Sequence, residues 1–224
     1  MQPVTLEDIN DAAKLLDGVI KKTPSISAGW IEKKYGVDVT FKCENLQRAG
    51  SFKIRGAYNR IARLTAEQRN KGVVAASAGN HAQGVALAAQ ILGIKATIFM
   101  PEGATLPKYQ ATLGYGADVI FSGKTIDEAL MAASAFSDET GAVFIHPFDH
   151  EHIVAGQGTM GLEILAQNPE VKTVVVCTGG GGLLAGTALA IKSLRPDIKV
   201  IGVQAEMAAA YPPSLAAGSP QMLP

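Results

Sequence analysis

The sequence predicts an α/β protein built from parallel β-sheets with helices on both faces. Two observations support this fold class: short apolar runs alternate with longer segments of helical periodicity, and the runs are apolar throughout rather than alternately apolar and polar. A third is that several runs lead through glycine-rich or small-residue turns into a helix. Seven strands are predicted, at residues 39–43, 73–76, 97–100, 118–121, 143–145, 173–177 and 199–203.

Helices are predicted at residues 54–64 and 183–194, and the second ends at Arg195 and Pro196 because proline cannot continue a helix. The tail, residues 211–224, carries four of the eleven prolines and is predicted to be irregular. In a parallel sheet with helices on both faces, the chain does not normally end with a strand followed only by an irregular, proline-rich segment. We therefore expect an open sheet edge there.

Composition and charge favour small-molecule chemistry over nucleic-acid or membrane binding. Among 224 residues, 20 basic and 20 acidic side chains cancel, so no overall field attracts a polyanion or an anionic lipid surface. The N-terminus lacks the features of a signal peptide, and no apolar run reaches membrane-spanning length. Cys43 and Cys177 fit no pairing or metal spacing and are predicted to be buried free thiols. These features predict a cytoplasmic globular protein.

A run of four glycines, Gly179 to Gly182, lies between a predicted strand and a predicted helix. Glycines leave the backbone N–H groups unobstructed, and the N-terminus of the following helix adds partial positive charge. This turn is therefore suited to an anion such as a phosphate. The structural alternative is that the glycines only make a tight turn.

The same turn also supports a dinucleotide-binding interpretation. Gly180, Gly182 and Ala185 match the G-x-G-x-x-A fingerprint, and Glu206 follows the next strand, where a ribose-binding acid would lie. This alternative predicts an NAD-dependent oxidoreductase in which Lys53 has no role.

Two other motifs do not define a site. The GKT at 123–125 resembles the end of a P-loop, but Asp118 stands where the first glycine is needed. His146, His150 and His152 do not have a standard zinc-ligand spacing, so no metal site is predicted.

The loop from Ser77 to His81 is a second candidate anion site. It lies between a predicted strand and a small-residue helix, so its main-chain N–H groups suit a carboxylate. Asn80 adds a neutral side chain that can donate or accept. The alternative is that Ser77 and Asn80 only cap the helix.

Lys53 stands at the start of a predicted helix, in the segment AGSFKIRGA. We expect the helix N-terminus, the neighbouring Arg55 and burial beside Phe52 to disfavour its ammonium form. A neutral amine there is a nucleophile able to form a Schiff base. A solvated surface lysine is the alternative, but the two anion sites near predicted parallel strands favour the chemical role.

Four segments in this order resemble the signatures of pyridoxal-phosphate-dependent threonine/serine dehydratases: ENLQ at 44–47, SFKIRGA at 51–57, SAGNHAQG at 77–84 and TGGGGL at 178–183. The resemblance runs from about Thr23 to the end of the chain. It implies fold-type II, the tryptophan synthase β-like fold with two parallel-sheet α/β domains.

The resemblance also implies roles for particular residues. Lys53 would be the catalytic residue, holding pyridoxal 5'-phosphate as a Schiff base and later removing the α-proton of the substrate. The cofactor-binding residues would be Phe52, Lys53, Asn80, Gly179, Gly180, Gly181, Gly182 and Leu183. The substrate carboxylate would be bound by Ser77, Ala78, Gly79, Asn80 and His81. The implied reaction removes water from L-threonine or L-serine, with the cofactor phosphate as the acid, and yields a 2-oxo acid and ammonia.

Position 78 bears on a close alternative, a serine racemase-like enzyme. Racemases of this group carry a serine there as the base on the opposite face of the substrate, whereas this chain has Ala78, which cannot exchange a proton. The resemblance therefore implies dehydration rather than racemisation.

The resemblance further implies a domain division. Residues 51–149 would form a small domain, and residues 1–50 with 150–224 a discontinuous, incomplete large domain, with the site between them and a hinge at 146–159. Residues 44–47 would lie near the cleft. Relatives continue past the position of Pro224 and supply a partner for the pyridine nitrogen. We therefore expect weak cofactor binding and poor turnover from this chain, with a catalytically silent fragment as a further alternative. A homo-oligomer is possible.

Overall fold

Three sheets and ten α-helices make up residues 3–221, the part of the chain that the computed structural model describes. The strands are β1 (Ser25–Ser27), β2 (Thr40–Lys42), β3 (Val73–Ala76), β4 (Ala96–Met100), β5 (Asp118–Phe121), β6 (Val143–Phe144), β7 (Thr173–Cys177) and β8 (Lys199–Val203). The helices are α1 (Leu6–Leu16), α2 (Gly29–Tyr35), α3 (Lys53–Ile61), α4 (Ala66–Lys71), α5 (Asn80–Leu92), α6 (Leu106–Gly114), α7 (Ile126–Thr140), α8 (Glu151–Gln167), α9 (Gly182–Leu194) and α10 (Tyr211–Ala217).

The main sheet is parallel, with strand order β5-β4-β3-β6, while β7 and β8 form a separate parallel pair and β1 pairs with β2 in antiparallel fashion. Strands β3 and β4 are buried at every residue, which explains their unbroken apolar sequences. In β7, by contrast, Val174 and Val176 are buried and Val175 is 63% exposed. The prediction that helices cover both faces of the sheets is therefore confirmed for β3 and β4. It is wrong for β5, where three of the four residues are exposed, and for β7, which packs on α9 with one face only.

The seven predicted strands correspond to β2–β8, with ends that shift by one residue at most, and β1 was not predicted. The prediction of an irregular tail is wrong for residues 211–217, which form α10, and is confirmed for residues 218–221, while residues 222–224 lie outside the described part of the chain. Pro212 and Pro213 lie in the first turn of α10, where the missing N–H groups would have had no helical partner in any case. No helix within residues 3–221 has both the length and the apolar character needed to cross a bilayer.

Helix α3 is buried on every side. Its apolar residues Ile54, Ala57 and Ile61 belong to the core cluster that also contains residues of β3, β4 and α5. On another side, Arg55 and Asn59 are fully buried. The helix ends at Ile61, three residues before the predicted end. Because α3 has no solvent face, the direction of Lys53 at its first position is set by packing.

Glycines in α8 allow the neighbouring helices to approach its backbone closely. A Cβ on Gly156 would lie 2.6 Å from the carbonyl oxygen of Arg55 in α3 and 2.7 Å from the Cα of Gly56. On the α9 side, a Cβ on Gly161 would lie 3.0 Å from the carbonyl oxygen of Thr187. These crossings bring the first residues of α3 and α9 to the same cavity.

Candidate active site

A cavity of about 320 Å³ lies at the N-termini of α3 and α9. Its walls include Phe52, Lys53, Pro147, Phe148, Gln157 and Cys177, together with the glycine turn 179–182. The predicted lysine and the predicted anion turn are thus brought together, although about 125 residues separate them in sequence. Cys177 was predicted to be buried, and this is wrong, since it is an exposed thiol in the cavity wall at the end of β7.

The amine of Lys53 is held inside the cavity rather than in bulk solvent. Its Nζ donates a hydrogen bond of 2.6 Å to the carbonyl oxygen of Pro147 and lies 5.4 Å from the ring centroid of Phe52. Burial lowers the pKa of Lys53 to about 8 because the charged form loses hydration. Roughly one molecule in ten therefore carries a neutral amine at pH 7.

Arg55 does not lower this pKa by repulsion, contrary to the sequence-based expectation. Its buried guanidinium is turned toward two carboxylates. It donates two hydrogen bonds of 2.8 Å to Glu44 and two, of 2.7 and 3.1 Å, to Glu163. The two carboxylates compensate its charge, which leaves burial as the cause of the shift at Lys53.

The ENLQ segment, residues 44–47, does not line the cavity but contacts residues next to the start of α3. Glu44 accepts a hydrogen bond of 2.6 Å from Thr23 as well as those from Arg55. Gln47 bonds both the backbone N–H and the carbonyl of Lys21, at 2.9 and 2.7 Å. These buried contacts tie the N-terminal segment to the start of α3.

Three of the four glycines in the turn 179–182 have no room for a side chain, and the last of these, Gly182, would place a Cβ 2.6 Å from the carbonyl oxygen of Phe148. Gly181 has a φ of +92°, which side chains with a Cβ rarely adopt. A Cβ on Gly180 would overlap the ring of Phe148, and one on Gly181 would overlap the hydroxyl of Tyr211. No atom lies within 4 Å of the point that a Cβ on Gly179 would occupy. The turn is therefore tightly packed against Phe148 and Tyr211 and is open at Gly179.

Two of the helices that begin near the site have free first turns. Helices α1, α4 and α7 begin with capping boxes built on Thr5, Thr65 and Thr125, whereas the residues before α3, α5 and α9 provide no side-chain cap. At α5 and α9 the first N–H groups are left for a ligand, whereas at α3 the N–H of Lys53 donates a hydrogen bond of 3.4 Å to Ser51 Oγ. Helices α2, α6 and α10 also lack a side-chain cap, so the missing cap supports a binding site only where a cavity adjoins it.

The loop before α5 is shaped as an uncapped helix start. Ser77 Oγ accepts a hydrogen bond of 3.1 Å from the N–H of Gly79 rather than capping the helix. Asn80 is exposed and is not part of the cavity wall. The ring of His81 is buried, bonds the carbonyl of Ile145 at 2.8 Å, and has its pKa lowered to about 3 by burial, so it is neutral. The carboxylate-binding role of this loop stays a prediction, and only the backbone of His81 is available for it.

Sequence reasoning missed the loop between β6 and α8, which closes the cavity next to Lys53. Pro147 and Phe148 come from the segment that the sequence suggested only as a hinge. His146 Nδ1 accepts hydrogen bonds of 3.3 and 2.7 Å from the N–H groups of Phe148 and Asp149, and so shapes the turn that presents them. No group of three or more His, Cys, Asp or Glu residues within 3–221 could hold a metal ion.

Gly84 was also missed. A Cβ there would lie 3.0 Å from the Cβ of Lys53, so glycine lets α5 pack directly on the backbone of the lysine. In the sequence Gly84 is the last residue of the SAGNHAQG motif and a glycine inside a small-residue helix, and neither feature reveals its packing partner.

Fold and site together define a class of protein: an α/β protein in which a partly buried lysine of low pKa shares a cavity with a glycine-made anion turn. These residues fit a cofactor that has both an aldehyde and a phosphate. A family model described as "Pyridoxal-phosphate dependent enzyme" matches residues 16–224, and the chain belongs to this family. The family match replaces the dinucleotide interpretation of Gly180, Gly182, Ala185 and Glu206.

Two curated relatives are named as enzymes that act on L-threonine. An L-threonine ammonia-lyase of Thermotoga maritima is 55% identical over 203 residues, which are 91% of this chain and 51% of the relative. A catabolic L-threonine dehydratase of Staphylococcus aureus is 50% identical over 204 residues, 91% of this chain and 59% of the relative. The chain thus spans between half and three fifths of the length of these relatives.

Solved structures share the fold. Maize serine racemase has a TM-score of 0.95 at 40% identity, covering 100% of this chain and 68% of the racemase. The processed form of threonine deaminase isoform 2 from Solanum lycopersicum has a TM-score of 0.92 at 40% identity, covering 98% and 66%. The tryptophan synthase β-like α/β fold is therefore confirmed. The division at residues 51–149 stays a prediction.

Proposed function

We propose that this chain carries the cofactor and substrate sites of a pyridoxal-phosphate-dependent dehydratase that converts L-threonine or L-serine to a 2-oxo acid and ammonia. The observation that carries the proposal is the cavity shared by Lys53, with its pKa near 8, and the open glycine turn. The relatives named as L-threonine ammonia-lyase and dehydratase support the choice of reaction.

Lys53 and the glycine turn would hold the cofactor. The Lys53 amine would bond the aldehyde carbon, and the N–H groups of Gly179–Gly182 with Leu183, at the N-terminus of α9, would hold the phosphate. Phe52 would pack beside them. Asn80 would reach the ring hydroxyl, although it is exposed and outside the cavity wall here. When bound, pyridoxal phosphate supplies an electron sink for the charge left at the substrate α-carbon.

The chain's own residues would perform the proton chemistry. Because the pKa of Lys53 is near 8 rather than at the ordinary lysine value of 10.5, a far larger fraction of its amines is neutral at pH 7. Only the neutral amine can accept the α-proton. Pro147 and Phe148 close one wall and exclude water from the amine. The uncapped first turn of α5, with Ser77, Ala78 and Gly79 before it, would bind the substrate carboxylate through backbone N–H groups.

A serine racemase-like enzyme is the second candidate, favoured by the likeness to maize serine racemase. Racemisation needs a proton donor on the opposite face of the substrate from Lys53. Ala78, in the loop that would bind the substrate, has no exchangeable side-chain proton. This argues for elimination.

Reduction with borohydride in the presence of pyridoxal phosphate tests the proposal. Peptide mapping is expected to find the phosphopyridoxyl label on Lys53 and to lose it in Lys53→Arg, while the Lys33→Arg variant, at an exposed position of α2, keeps it. The parent chain is then assayed for 2-oxo acid from L-threonine, L-serine and, as control, L-alanine. Label spread evenly over surface lysines would rule out the cofactor role.

We also infer a cytoplasmic location and a homo-oligomeric state. The even balance of 20 basic and 20 acidic residues supports small-molecule chemistry rather than binding to nucleic acid or membranes. Light scattering of the purified protein would measure the oligomeric state.

A further inference from the structure

Gln157 has a buried side-chain carbonyl that lacks a partner. It lies in α8, is 1% exposed, and its side chain is part of the cavity wall. Among residues 3–221, no donor reaches its Oε1. A buried unpartnered carbonyl is costly, so it marks a place where a donor is expected during function.

The amide of Gln157 lies beside the first turn of α3. Its Nε2 is 2.6 Å, and its Cδ 3.1 Å, from the point that a Cβ on Gly56 would occupy. Gly56 comes three residues after Lys53, one helical turn along. Glycine at position 56 thus makes the room that allows the amide to lie against the first turn of α3, and Gln157 and Lys53 line the same cavity.

Few side chains of the cavity can supply the missing hydrogen. The hydroxyl of Thr178 already donates to the carbonyl of Val176 at 3.1 Å. Cys177 is a weak donor, and most of the other wall residues are apolar or glycine. An ammonium has three hydrogens, and the described residues provide one acceptor for that of Lys53, the carbonyl of Pro147. Lys53 is therefore the donor best suited to Gln157.

We propose that Gln157 is a positioning residue: its side-chain carbonyl is the second acceptor of the Lys53 amine, which exchanges between it and the carbonyl of Pro147 already in the cofactor-free chain. Its use in catalysis rests on the proposed function, since a lysine that bonds a cofactor and later acts as a base must be held in two places. Pro147 provides the first acceptor and Gln157 the second.

The other titratable groups near Lys53 do not compete for this role. The rings of His81, in α5, and His146, in the loop before α8, both have pKa values lowered by burial and are neutral around pH 7. Arg55 is turned away toward Glu44 and Glu163. The acceptors of the amine therefore control its protonation beyond the effect of burial.

The test measures the amine directly in the cofactor-free chain. Lys53 is methylated with formaldehyde and cyanoborohydride from pH 6 to 10, and the rate is read from the mass of its peptide. In Gln157→Met the amine loses an acceptor, so its pKa falls by about one and labelling at pH 7 rises about fivefold. In Gln157→Glu the pKa rises and labelling slows. The exposed Gln90→Met variant is the control and keeps the parent profile.

A Gln157→Met protein with the parent's circular dichroism and unfolding midpoint, but also with the parent's pH profile at Lys53, would overturn the proposal. If this variant does not fold, Gln157→Glu and Gln157→Asn decide in the same way. The assay uses neither pyridoxal phosphate nor threonine. A negative result in the methylation assay therefore does not contradict the proposed function. A negative result in the borohydride experiment likewise does not alter the pH profile of Lys53 methylation.

Discussion

The amine of Lys53 donates a hydrogen bond of 2.6 Å to the carbonyl oxygen of Pro147, which lies 94 residues further along the chain. The bond joins the first residue of α3 to the loop that leads into α8. It partly compensates an amine that burial has stripped of water, and it keeps that amine inside the cavity. Four predictions follow from this arrangement and from the packing around it.

Replacing Lys53 by methionine is expected to stabilise the fold at neutral pH. The pKa of Lys53 in the folded chain, about 8, lies below the ordinary value of 10.5, so folding disfavours the charged amine. The cost is fully present below pH 8 and disappears as the pH rises to 10.5. It amounts to at most about 3 kcal/mol at pH 7.

Urea unfolding of Lys53→Met at pH 7 and at pH 10 measures this effect. The gain in the free energy of unfolding should shrink at the higher pH. Lys108→Met, at an exposed position of α6, is the control and should show no such dependence. An equal gain at both pH values would contradict the burial of the amine.

Arg55→Met is expected to destabilise the protein strongly. The change leaves Glu44 without its buried bidentate partner and Glu163 with Lys42 alone, and breaking such a buried pair costs about 3–5 kcal/mol. Chemical denaturation gives the value. Arg195→Met removes the exposed pair with Asp197 and should have a far smaller effect. Comparable losses for the two variants would show that the buried network does not fix α3.

Gly156→Ala is expected to separate α3 from α8. The added methyl group would meet the carbonyl oxygen of Arg55 at 2.6 Å, and backbone atoms cannot move aside cheaply. We expect a loss of about 1–3 kcal/mol of stability and a displaced Lys53. Thermal unfolding and the labelling profile of Lys53 measure both. Gly114→Ala, in α6 with open space around it, is the matched control and should be neutral or slightly stabilising.

Ala78→Ser is expected to introduce formation of D-serine from L-serine. The new hydroxyl would provide an exchangeable proton in the loop that would bind the substrate, at the position where the resemblance implies a base on the face opposite to Lys53. Chiral chromatography of the reaction mixture measures the product, with Ala78→Gly as a control that adds no proton. Efficient racemisation by the parent chain would remove the reason to prefer elimination.

Much of the fold was predictable because its signals are local. Seven strands, the start of α9 and the two loops at strand ends follow from apolar periodicity and from glycine, whose effects act over a few residues. The prediction of an irregular tail failed at residues 211–217 because prolines were taken as breakers without regard to position. Pro212 and Pro213 lie in the first turn of α10, where proline is tolerated.

Parts of the site could not be predicted because they depend on contacts between distant segments. The sequence indicated Lys53 and the turn 179–182, but not that Phe148 would pack on Gly180 or that Gln157 would lie beside Gly56. Arg55 was expected to repel the lysine. Its true direction depends on Glu163, 108 residues away.

The sequence by itself determined the fold class and indicated the candidate lysine and the glycine turn, because backbone propensity and the freedom of glycine are properties of short segments. Only the tertiary structure decided which groups surround the amine. The closeness of α3, α5 and α8 at Gly56, Gly84 and Gly156 sets the burial of Lys53, and burial sets its pKa. Desolvation is a property of packed volume, and no linear pattern of residues encodes it directly.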